Sequence, residues 1–248
     1  MQEYWEMYMK PVEGKPASVL FNAGVSYEMD ELRHLNPIVA FVKVKLKEPD
    51  ERGLMNPQEA KEISYLEDRL EAGILKFRLG KYVGRIVSDG YVTFIYYVPY
   101  TFNWEDFLTF ALEEHGHYEI TSGYRDDPQW GFYNNLLFPT AVEWQIIQNH
   151  RACDTLRAQG DALEQPRAIE HKLFYEEGCD KAALHEALEA EGYGILEPIK
   201  NEEGKEGVRF FRIDTPFYTE IDDITLKLIA LCEKHGAAYD GWETSVVK

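Results

Sequence analysis

An α+β chain built from two similar modules is predicted by three observations. Five helical stripes each run into a glycine, β-branched and aromatic runs lie between the stripes, and one order of elements is spelled twice. In the first module the clearest helix starts at Asn56, where a capping side chain is followed by Pro57 and, three residues on, by Glu59. Ile63, Leu66, Leu70, Ile74 and Phe77 then recur at the spacing of a core-facing stripe, and Gly80 offers a stop. A second helix runs from Asn103 to Gly116 with Phe107, Phe110 and Ala111 inward. Residues 38–46 alternate Val42, Val44 and Leu46 with Lys43, Lys45 and Lys47, as a half-buried strand does. Residues 82–87 and 91–98 form a hairpin around Asp89-Gly90, and residues 117–124 supply a further strand.

The order strand, helix, strand, strand, helix, strand then returns. A linking helix over residues 139–160, with Val142, Ile146, Cys153 and Leu156, leads to a strand at 168–175 and a helix at 180–191. Strands at 193–199 and 208–214, a helix at 219–235 and a last strand at 238–247 complete the second set. Each β-α-β-β-α-β set is the split βαβ of ferredoxin-like sandwiches, which lays one sheet on two helices. An N-terminal β-hairpin from residues 4–9 and 18–24 precedes the first set. The expected architecture is therefore two ferredoxin-like βαββαβ modules in tandem, as domains 1–138 and 139–248. Tyr91, Thr93, Ile95 and Tyr97 alternate with Val92, Phe94, Tyr96 and Val98, so both faces of that strand are apolar or aromatic. Its second face is expected to be covered by the other module or by a second copy of the chain.

The 248 residues are 45% apolar and 28% charged, a globular balance that excludes disordered and fibrous classes. Acids outnumber bases 44 to 26 for a net charge of −18. Direct nucleic-acid binding runs on Lys and Arg and is disfavoured, whereas a basic protein partner suits this charge. Three widely spaced cysteines, Cys153, Cys179 and Cys232, indicate inert thiols rather than disulfides or a zinc knuckle. There is neither a signal-peptide pattern nor a membrane-length apolar run, and the expectation is a cytoplasmic protein that avoids membranes.

Candidate chemistry is sparse. Tyr91 and Phe94 occupy the strand that stacks bases in RNA-recognition folds, yet a spacing of three puts them on opposite faces. His117 and Glu119 would share one strand face as metal ligands, but His115 falls in the last helical turn and no third ligand is nominated, and no glycine-rich nucleotide loop or nucleophile elbow is present. No cofactor is expected. Two clusters stand out. Residues 160–171 carry Asp161, Arg167 and His171 into the second module's first strand, and Tyr239-Asp240-Gly241-Trp242-Glu243-Thr244 sets a large ring between two carboxylates near the end. Strict alternation would put Tyr239, Gly241 and Glu243 on one face and Asp240, Trp242 and Thr244 on the other. A plug of the core by Trp242 with a bulge at Asp240-Gly241 and an interface anchored by Trp242 are both open.

The helix ending at Gly160, the step to Ile169-Glu170-His171, the Glu191-Gly192-Tyr193 exit and the closing Tyr239-Asp240-Gly241-Trp242 together resemble the regulator of ribonuclease E activity B, a ribonuclease inhibitor family, over residues 139–248. The resemblance implies a non-catalytic cytoplasmic protein that binds a ribonuclease and alters RNA decay. Residues 1–138, with Trp5, Pro16-Ala17 and Trp104-Glu105, resemble the uncharacterised bacterial domain family 695 of unknown function, which implies no chemistry. This chain departs from the inhibitor family in ending at Val246-Val247-Lys248 without a long acidic tail. The functional expectation is a regulator that presents Tyr239, Asp240, Trp242 and Glu243, with Asp161, Arg167 and His171 beside them, to a basic segment of a ribonuclease. The rival reading is a hydrolase-like enzyme using Asp240, Glu243 and His171 in one cleft, and a structural homodimer is a third.

Overall fold

The computed structural model describes residues 4–113 and 117–248. The chain divides into two compact units, Met1–Pro139 and Thr140–Lys248, each an α+β arrangement around its own antiparallel sheet.

In the first unit β1 (Trp5–Val12) and β2 (Lys15–Asn22) form the N-terminal hairpin, followed by a 3-10 turn at Ala23–Glu28 and α1 (Met29–Leu35). Then come β3 (Ile38–Lys45), α2 (Pro57–Phe77), β4 (Lys81–Ser88), β5 (Tyr91–Val98), α3 (Trp104–Leu112) and β6 (Ile120–Asp126). The six strands lie in the order β1-β2-β4-β5-β3-β6, and every pairing is antiparallel. The Asn56 side chain accepts from the Gln58 and Glu59 amides and so supplies partners for two of the orphan donors at the start of α2. The helix ends at Arg78, not at Gly80: Arg78 takes the left-handed conformation (φ 51°) and its N–H reaches the Ile74 and Leu75 carbonyls. The predicted end of α3 at Gly116 lies outside the described residues.

Ile63, Leu66 and Leu70 of α2 and Phe107 of α3 pack on Val42, Val44, Phe94 and Tyr96 in one continuous core. At its Tyr97 end the other face of β5 is covered from within the unit, whereas Tyr91 and Thr93 at the other end stay partly exposed. Between β6 and the second unit the chain folds back, with a turn of π-helix at Tyr133–Leu137. Trp130 stacks on Tyr97 at 3.8 Å and 12°, and its Nε1 donates to the Asn36 carbonyl at 2.9 Å. The Tyr133 hydroxyl donates to the Asn22 carbonyl, and Tyr8 donates to the Leu137 carbonyl. Trp130, Tyr133 and Leu137 are fully buried.

In the second unit α4 (Ala141–Ala158) starts with a reciprocal capping box, Thr140 and Glu143 each bonding the other's backbone amide. It is followed by β7 (Arg167–Tyr175), α5 (Lys181–Ala190), β8 (Gly194–Lys200), β9 (Glu206–Asp214), α6 (Tyr218–Lys234) and β10 (Ala237–Glu243). The sheet order is β10-β7-β9-β8, again antiparallel throughout. Leu173 and Phe210 of the sheet pack against Leu184 and Leu188 of α5 and Leu228 of α6, while Cys153 and Leu156 of α4 meet Ile169 and Ile221. The opposite face of the sheet, with Glu170, Lys172, Arg209 and Ile213, is open to solvent in part or in full.

Candidate functional site

The sequence-nominated residues of the second unit converge on β10, β7 and the segment before β7. Backbone alternation on β7 turns Arg167, Ile169, His171 and Leu173 toward the helices and Glu170 and Lys172 away from them. On β10 the register slips between Tyr239 and Gly241, so that Tyr239 pairs with Leu173 and Trp242 with His171. This bulge, at Asp240, overturns the strict alternation: Tyr239 and Trp242 both turn toward the helices, and Glu243, opposite Glu170, turns away.

His171 is fully buried. Its Nδ1 and the Tyr239 hydroxyl hydrogen-bond at 2.8 Å, its ring stacks on Phe210, and Tyr193 meets it edge-on. Its Nε2 has no partner. Burial, with a smaller contribution from the Arg212 charge, pushes the imidazole down to about 3, so it stays neutral. Burial likewise raises the Tyr239 phenol far above its usual range.

Trp242 is half-buried against the cluster of Cys153, Leu156, Leu163, Ile169 and Ile221. Its Nε1 donates to Asn149 Oδ1 at 2.8 Å, and Asn149 Nδ2 in turn donates to Thr225 and Asp222. Asp161 and Arg167 form a buried ion pair at 2.7 Å. Burial alone would raise the Asp161 carboxyl; the amides of Val247 and Leu163 and the Arg167 guanidinium outweigh it and hold the carboxyl below its usual range. The pair therefore clamps the C-terminal segment onto the start of β7.

Asp161, Arg167 and His171, nominated as partner contacts, are thus buried rather than presented at the surface. The cleft imagined for Asp240, Glu243 and His171 is not assembled either, because the sheet separates His171 from Glu243. Asp240 and Glu243 are exposed, and Tyr239 and Trp242 show only part of their surface. Glu243 joins a network that the sequence reading missed: it bonds Lys172 at 3.0 Å, and Arg209 lies within 4 Å of Glu170, Glu197 and Glu243. The signal was alternation on β7 and β9, which places Glu170, Lys172 and Arg209 on one face. Phe174 and Phe211 lie flat on that face over glycines of the next strand: a Cβ on Gly207 would meet the Phe174 ring at 2.7 Å, and one on Gly194 the Phe211 ring at 2.6 Å.

Among the described residues no group of three His, Cys, Asp or Glu could hold a metal ion. His115 lies outside them, Glu119 pairs with Lys45, and His117 lies 3.7 Å from Glu62. Burial drives the Cys153 and Cys232 thiols up to about 12, which removes their nucleophilic form at neutral pH. No helix among the described residues is long and apolar enough to cross a membrane.

Comparison with curated proteins finds no match. A crystal structure described as an unknown protein from Galdieria sulphuraria is 11% identical, covering 85% of this chain and 99% of that one, with a TM-score of 0.22 that carries no weight for the fold. Residues 146–244 match the family model described as regulator of ribonuclease activity B. Residues 3–138, more than half of the chain, match the model described as a family of unknown function, DUF695, and the chain belongs to that family.

Proposed function

We propose that this chain is a non-catalytic, protein-binding regulator that modulates a ribonuclease or an RNA-decay complex in the cytoplasm. The observation that carries the reading is the match of residues 146–244 to the regulator of ribonuclease activity B. The geometry supports it by sealing His171 away from Glu243 while leaving charged groups on an accessible sheet face. On this reading the chain is two ferredoxin-like domains, 1–138 and 139–248, a description supported by the strand orders β6-β3-β5-β4 and β10-β7-β9-β8. The second domain would meet a basic segment of its partner with Asp240, Glu243 and the exposed edges of Tyr239 and Trp242. Asp161, Arg167 and His171 would hold that edge in shape from inside. With a net charge of −18, long-range attraction would speed the encounter and weaken as salt rises.

The test is direct binding of the full chain to a purified ribonuclease bearing an Arg-rich segment, at low and high salt. The double variant Asp240→Lys with Glu243→Lys changes only exposed positions, and it is expected to lose about tenfold in affinity at low salt with its melting temperature nearly unchanged. Absence of binding by the parent chain would refute the regulator reading. Unchanged affinity in the double variant would move the contact surface elsewhere on the domain.

A further inference from the structure

We propose that a groove on the first unit's sheet, on the side away from α2 and α3, binds a small monocarboxylic acid with an apolar body. The cover formed by residues 127–138 closes over Tyr97 at one end of β5, and the turn of the β1–β2 hairpin stands near Tyr91 at the other. Between them a cavity of about 440 Å³ remains. That is within the roughly 300–1,000 Å³ of small-molecule sites. Its floor is Val39, Ile86 and Ile95, all buried, and Phe41, Phe132 and Leu136 wall it. Apolar surface so arranged takes up a hydrocarbon body by the same effect that builds a core.

The charges around it decide the head group. Lys43 is half-buried with its ammonium 4.1 Å from the Tyr91 ring, and the Arg125 guanidinium lies 5.8 Å from the Phe132 ring. Neither makes an ion pair among the described residues, although the chain as a whole carries a net charge of −18. Asp127 is close enough to Arg125 for that charge to help lower its carboxyl. Its oxygens, however, are already taken by the Tyr97 hydroxyl and the Gly131 and Phe132 amides. Arg125 stands opposite Val39 and Lys43 four residues further along β3, so a cation marks each end of the apolar groove, and a carboxylate at the rim would meet the Arg125 fork or the Lys43 ammonium while staying partly hydrated. The far corner of the groove is acidic, with Glu13 beside the Lys15–Asp89 pair. A second negative charge on the ligand would be repelled there, which selects a single carboxylate over a dicarboxylate.

The experiment titrates the full chain with octanoate by calorimetry and follows its backbone amide resonances. One saturable site is expected, with shifts concentrated at Val39, Lys43, Thr93, Ile95 and Arg125. The variant Lys43→Glu with Arg125→Glu, which alters side chains on the rim only, is expected to bind roughly tenfold more weakly at low salt. Ile86→Trp, which fills the floor, should abolish binding while the resonances of the second unit stay in place. Failure to saturate, octylamine binding as tightly as octanoate, or charge reversal without effect on affinity would each overturn the proposal.

Discussion

In the first unit Val42 stands opposite Phe94 on the helix-facing side of the sheet, and Ile38 stands opposite Val98. In the second unit the matching rungs are His171 opposite Phe210 and Arg167 opposite Asp214. The strands are laid out alike, yet one core is wholly apolar along these rungs and the other contains an imidazole and two charged groups. The outward rungs differ in the reverse sense. On β5 Ile95 and Tyr97 are fully buried, while on β9 Arg209 and Phe211 are partly exposed and Ile213 is 59% exposed. Two arrangements with the same strand order have thus placed their polar groups on opposite layers. The face that is apolar on both sides of the central strand needed an extra segment to seal it; the face that interleaves Arg209 with Phe211 is solvated as it stands.

Removal of the seal gives the largest effect. Trp130→Ala deletes a fully buried ring, leaves a cavity over Tyr97 and orphans the Asn36 carbonyl. The first unit should lose about 3–5 kcal/mol. Phe211→Ala on the open face of the second unit should cost less, about 1–2 kcal/mol, because that ring keeps part of its surface in water. Amide hydrogen exchange read unit by unit separates the two. Equal losses would show that the open face of the second sheet is as tightly packed as the sealed face of the first.

The second comparison uses pH. His171 is held at about 3 in the fold by burial and ionises near 6.5 when released. Between those values the unfolded chain binds a proton that the folded chain refuses, so stability of the second unit falls as pH drops from neutrality. The loss from pH 7 to pH 5 should be about 2 kcal/mol, and His171→Leu should flatten the profile. The rung-equivalent Val42 cannot titrate. In the first unit Glu67 has the opposite sense: burial, opposed by its contacts with Arg85 and Tyr82, raises its carboxyl, so acidification relieves a cost. Urea unfolding followed by exchange in each unit at both pH values reads the signs, and parallel profiles would remove the distinction.

Much of this arrangement was legible in the chain. The Asn56-Pro57-Glu59 start, the Ile63 to Ile74 stripe and the Val42/Lys43 alternation fixed the helix and the face of β3, because helical and strand periods impose themselves locally. Asp89-Gly90 marked its hairpin for the same reason. The segment from Asp127 to Phe138 was silent: its π-helical turn has no periodic signature, and its partners Tyr97, Asn22 and Tyr8 are distant in sequence. The face of Trp242 was misread by alternation because one bulged residue, Asp240, reverses everything after it. Asp161, Arg167 and His171 stand out in the sequence as a polar cluster, but sequence cannot tell a polar group that faces water from one that is buried, as these are.

The smallest expected effect concerns that last distinction. Glu243 accepts from Lys172 and lies 3.8 Å from Arg209, yet its side chain is 51% exposed. Water already solvates most of each charge, and Arg209 keeps Glu170 and Glu197 as neighbours when Glu243 is neutralised. Glu243→Gln should therefore shift the stability of the second unit by no more than about 0.5 kcal/mol, and less at high salt. A larger loss in chemical unfolding would mean that the network on the open face acts as a clamp, as the buried Asp161–Arg167 pair does. A null result leaves those charges free for recognition, since a group that contributes little to the fold can be spent on a partner without loosening the sheet that presents it.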